Sequence, residues 1–131
     1  MKWTMVKVWL LGASILIAAH VLWWGVAAGI SHADALRNAL FIVPVASAFL
    51  VSYLSPRHKL LLGVSMGPLG AALGLASMFM YRALGYHVDE IGGAITTFGI
   101  LLGVHLSYAV GGAVLGYFAW RLRSNPRKAP W

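Results

Sequence analysis

The sequence predicts an all-α fold: an integral membrane four-transmembrane-helix bundle, arranged as two in-out-in hairpins with the N- and C-termini cytoplasmic. Three observations lead there. The chain is 60% hydrophobic and only 10% charged, where a soluble domain carries about a quarter charged residues. Its apolar residues fall into four runs, each close to or beyond the roughly 20 helical residues that cross a bilayer's hydrocarbon core. Its basic residues gather in the segments that would share one side of the membrane. At 131 residues, a water-soluble fold has too much surface for its volume to hide so many apolar side chains. Lipid is therefore the natural solvent.

The first run, Val8 to Ile30, follows Lys2 and Lys7. That arrangement imitates a signal peptide. However, the run continues through the bulky Trp23 and Trp24, well past the apolar stretch of about 7–15 residues in a cleaved signal, so it is expected to stay as a span. Ser31-His32-Ala33-Asp34 closes it. The second run, Ala35 to Leu54, ends at Ser55-Pro56-Arg57-His58-Lys59, and the third, Leu60 to Tyr81, ends before the loop from Ala83 to Glu90. The fourth runs from Ile91 to Trp120. Residues 1–122 thus form one transmembrane domain, and residues 123–131 a basic cytoplasmic tail. No run shows the polar face of a soluble amphipathic helix, and none alternates over ten residues like a membrane barrel strand.

Orientation follows from charge, because Lys and Arg are retained in the cytoplasm. Lys2, Lys7, Arg57, Lys59, Arg121, Arg123, Arg127 and Lys128 all fall on one side of the four-span scheme. Arg37 and Arg82 fall on the other, together with every acid in the chain, Asp34, Asp89 and Glu90. Trp3, Trp9, Tyr53, Tyr117 and Trp120 cluster near the basic boundary, and Trp23, Trp24, Tyr81 and Tyr86 near the opposite one, as amphipathic rings prefer. The net charge of +7 then reads as positive-inside topology with attraction to anionic lipid at the cytoplasmic face, and nucleic acid is not an expected partner. A bacterial inner membrane suits so compact and unadorned a chain.

Helices in lipid gain little from burying apolar surface against one another, so close approach between small residues supplies much of the contact. Gly25 and Gly29, Gly63 and Gly67, and Gly70 and Gly74 are each four apart, as are Gly112 and Gly116. In the last span Gly99, Gly103, Ser107 and Gly111 also step by four, making a continuous groove about 100° around the helix from Gly112 and Gly116. Two small-residue faces exceed what one neighbour in a compact bundle requires. One is expected to pack internally and the other to meet another subunit, in a homo-oligomer or a larger membrane complex. Pro44 and Pro68 are expected to kink their spans.

No acidic or basic side chain lies deep in any span, which removes the intramembrane carboxylate or cation that proton-coupled transporters use. The polar groups at mid-membrane are His20 and His105. Equal depth on separate helices is what a bis-histidine haem b needs, with one imidazole on each side of the iron. The plainer expectation is no cofactor, each histidine hydrogen-bonding to a neighbouring helix through Ser14, Ser47, Ser77 or Thr96. Outside the membrane, His32 with Asp34 and His87 with Asp89 and Glu90 occupy equivalent positions in the two hairpins, 55 residues apart. Imidazole plus carboxylate could hold a divalent metal if the loops met. Helix capping explains the acids more simply. The repeated His-x-Asp also fits a degenerate duplication of the hairpin.

Without a cysteine there is no thiolate chemistry, and no nucleophile elbow, phosphate loop or metalloprotease helix appears. The expectation is a non-enzymatic membrane subunit that oligomerises or docks on a larger assembly. The alternatives are a small channel or transporter for a neutral or anionic solute, and a haem-binding electron-transfer subunit.

Overall fold

The computed structural model describes residues 4–23, 40, 42–85 and 92–124. Among these the chain is all-α, in the order α1 (Met5–Leu22), α2 (Val43–Leu54), α3 (Lys59–Val64), α4 (Met66–Ala83) and α5 (Ala94–Ser124). Among the described residues, three helical segments are long and apolar enough to cross a membrane: Met5–Leu22, Lys59–Ala83 and Ala94–Ser124. The second expected span is represented by the 12 residues of α2, too few to cross alone, its earlier part lying mostly outside the described residues.

Helix α1 starts three residues ahead of the apolar run because Thr4 caps it. The Thr4 backbone is extended, and its Oγ1 accepts from the Lys7 N–H at 3.3 Å, satisfying one of the donors a helix start leaves unpaired. Val8, Gly12, Ala13 and Leu16 form its buried stripe, the spacing of one helical face. Pro44 stands in the first turn of α2, where its missing N–H costs no helical bond, and Leu40, four residues before it, is helical as well. That helix buries Ser47, Ala48, Val51 and Ser52, again one stripe.

The turn after α2 is fastened from both sides. Ser55 Oγ donates to the Arg57 carbonyl at 2.6 Å. Lys59 Nζ donates to the Tyr53 carbonyl at 3.1 Å and to that of Ser55, placing a cation on the carbonyl-rich end of a helix. The span expected to kink at Pro68 is interrupted one turn upstream of it. The ring of a proline clashes with the carbonyl four residues before it, here Val64, and the helix breaks between Val64 and Met66, at Ser65. Gly85, with φ of 86°, follows the end of α4, a left-handed conformation that glycine adopts without steric cost. The final helix has 31 residues, about 46 Å of rise against a hydrocarbon core of about 30 Å. It continues through Ser124, so the first part of the expected tail is helical.

Backbone proximity holds the bundle together. The broadest interface is α2 against α5, where a methyl at Gly112 would overlap the Val45 carbonyl and one at Gly116 the Phe49 carbonyl. A Cβ at Gly63 would lie 2.6 Å from that of Ala113, and one at Gly67 would lie 2.8 Å from Leu106 Cα. Serines bridge helices too: Ser52 Oγ donates to the Ala113 carbonyl at 2.8 Å, between α2 and α5, and Ser47 Oγ to the Gly12 carbonyl at 3.0 Å, between α2 and α1. Trp9 Nε1 donates to Ser65 Oγ at 3.2 Å, tying α1 to the break. The fully buried apolar core is small, centred on Val8, Leu16, Ala48, Val51, Met66 and Ala109. By contrast Ile95 is 90% exposed, Leu61 70% and Phe118 52%. Such exposure of large apolar side chains is compatible with a membrane setting, since in water it would be an adhesive surface.

Candidate functional site

His20 on α1 and His105 on α5 come together, their rings near-parallel at 20° with centroids 6.0 Å apart. The two helices barely touch elsewhere, and α4 lies beside both as a floor. Its glycines make the room: a Cβ at Gly70 would stand 2.5 Å from His105 Cδ2, and one at Gly74 would stand 3.7 Å from His20 Nε2. The pair faces a cavity of about 130 Å³, walled also by Trp23, Leu40, Pro44 and Tyr108. His20 borders a second cavity as well, about 340 Å³, with Ile17, Ser77, Met80 and Tyr81.

Neither imidazole bonds to the serines and threonine expected from sequence. His20 Nδ1 lies 2.8 Å from the Leu16 carbonyl, and His105 Nδ1 lies 2.9 Å from that of Leu101. A carbonyl only accepts, so each Nδ1 carries the proton and donates one turn back along its own helix. Ser77 does likewise towards Leu73, while Ser47 bonds to Gly12. In the neutral rings each Nε2 then presents a lone pair. That arrangement can accept a hydrogen bond from a small donor or ligate a borderline metal such as zinc, copper or iron, since a backbone-anchored Nδ1–H is the usual support of a ligating imidazole. Two ligands fall short of a zinc site's three or four, and no group of three or more His, Cys, Asp or Glu exists among the described residues. A haem is a different matter of scale, because pockets for drug-sized ligands start at about 300 Å³ and the shared cavity is about 130 Å³. The pair has the donor atoms for haem iron, and His20 also borders the larger cavity of about 340 Å³.

The small-residue sites divide by environment. Gly63, Gly67, Gly70, Gly74, Gly112 and Gly116 all face neighbouring helices. Gly99, Gly103 and Gly111 have nothing within 4 Å of an added Cβ, and Ser107 beside them is exposed, its Oγ donating to the Gly103 carbonyl at 2.8 Å. His32, Asp34, His87, Asp89 and Glu90 lie outside the described residues, as do Gly25 and Gly29.

One cluster was not marked by sequence. At the basic end Lys59 Nζ sits 4.4 Å from the centre of the Trp120 ring, within cation–π range, and Arg123 donates to the Tyr53 hydroxyl at 2.7 Å. Charge sorting and the aromatic belt single out these residue types, but only the fold pairs a residue in the 55–59 turn with one over sixty positions later. Compared with protein-family models, curated proteins and solved structures, the chain matches none of them.

Proposed function

We propose that this chain is a small non-enzymatic subunit of a membrane complex, assembling with a second copy or a larger partner through the outward face of α5. One observation carries the reading. Of the two small-residue faces on that helix, Gly112 and Gly116 are filled to main-chain contact by α2, whereas Gly99, Gly103, Ser107 and Gly111 stand open. A helix gains nothing from an empty groove in lipid, while a second helix seated there would recover dispersion and Cα–H contacts. Light scattering of the protein in mild detergent tests it. An oligomer or a co-purifying partner is expected, and Gly103→Leu is expected to dissociate it without loss of helicity. A monomeric, partnerless wild-type particle would overturn the reading.

A second reading draws support from His20 standing between two cavities: a channel or transporter for a small solute, with the imidazole Nε2 as the polar contact along the way. Proteoliposome uptake that falls on His20→Ala would favour it, and an absence of flux for neutral and anionic test solutes would remove it.

A further inference from the structure

Two recesses open at the basic end of the bundle and share the wall formed by Lys59 and Trp120. The first, about 440 Å³, is lined by Tyr53, Ser55 and Arg123 in addition to that wall. The second, about 430 Å³, adds Arg57, Leu60, Leu61 and Tyr117. Lys59 is not a swinging surface cation: two carbonyls and the indole face hold its ammonium in place, and one of its three donors remains. Arg123 spends one N–H on Tyr53 and keeps the rest of its fork. Arg57 is exposed, with no side-chain partner among the described residues. No carboxylate side chain occurs among the described residues either, the chain's three acids all lying outside them. The cationic groups here are therefore uncompensated by any described acid.

We propose that this end is a binding site for the phosphate-bearing headgroup of an anionic phospholipid, lodged against Lys59 with Arg57 on one side and Arg123 on the other. Three features favour a lipid over a soluble anion. Leu60 and Leu61, which are 42% and 70% exposed, continue the second recess into an apolar wall that an acyl chain can follow. Tyr117 and Trp120 are the amphipathic rings that settle at headgroup level. Basic pockets between transmembrane helices are a recurrent form of anionic headgroup site. The proposal needs only that the helices span a bilayer, and it stands whether or not α5 recruits a partner.

The test uses the full chain in detergent, exchanged against phosphatidylglycerol or phosphatidylcholine of the same acyl composition, with retained lipid counted by native mass spectrometry. Phosphatidylglycerol should be retained in preference. R57Q and R123Q should each weaken its retention by about fivefold, whereas R121Q should change it by less than about twofold. Arg121 is exposed and on the same helix end, but it lines neither recess. Arg57 and Arg123 are also exposed, so the variants should fold, which unfolding curves will verify. Equal retention of both lipids would overturn the proposal. So would an R121Q effect as large as the other two, which would mean diffuse attraction, or full displacement by millimolar inorganic phosphate, which would mean an anion site indifferent to the acyl chains.

Discussion

Gly116 and Gly103 sit on the same helix, yet a side chain would mean different things at each. At Gly116 a Cβ meets the main chain of Phe49, while at Gly103 it meets nothing within 4 Å. A backbone carbonyl cannot rotate away, so Gly116→Leu is expected to destabilise the fold by about 3 kcal/mol or more, and Gly103→Ala to stay within about 0.5 kcal/mol. Circular-dichroism melts in detergent will separate them. Near-equal midpoints would show that α2 and α5 are not in backbone contact. The histidines make a second test at this level. Their Nε2 atoms are suited to a metal, and the cavity they share is about 130 Å³, below the roughly 300 Å³ at which pockets for drug-sized ligands start, so the purified protein is expected to show no Soret band. A band that vanished in His20→Ala or His105→Ala would favour the haem reading. Sequence indicated that the two histidines share a depth. It marked Gly70 and Gly74 as a packing pair but not as the floor that seats the rings, because spacing within one helix does not say which side chain of another helix it will meet.

Among the helices, the break at Ser65 shows most clearly how one residue shapes an element. Pro68 removes a donor and clashes one turn back, and the freed segment is secured by side chains: Ser65 Oγ donates to the Leu62 carbonyl at 2.7 Å and accepts from Trp9. Pro68→Ala is expected to restore continuity between α3 and α4. Spin labels at Leu61 and Met80 should then report a longer, narrower distance distribution. An unchanged distribution would assign the break to packing by α1 instead. Proline chemistry made a distortion in this run legible beforehand. Pro44 carried the same signal and stands in the first turn of α2, where its missing N–H costs no helical bond.

For the whole molecule, the described basic residues beside the 55–59 turn and at the end of α5 meet at one end of the bundle, and large apolar side chains cover the outside. If charge sets the orientation, Arg57→Cys should react with an impermeant thiol reagent only from the cytoplasmic side of sealed vesicles. The chain has no cysteine of its own, so the background is clean. Labelling from the exterior would invert the topology.

Hydropathy and proline position are properties of a local stretch of chain, and they determined the helical class, the three membrane-length segments among the described residues and the break near Pro68. Pairing is different in kind. Gly99, Gly103 and Gly111 cannot be told from Gly112 and Gly116 by spacing, since both sets repeat every four residues. Which set faces inward depends on where α2 happens to lie. For the same reason the meeting of His20 with His105, and of Lys59 with Trp120, was decided by tertiary structure alone: helices in lipid choose neighbours by shape at close range, and shape at an interface belongs to two segments at once.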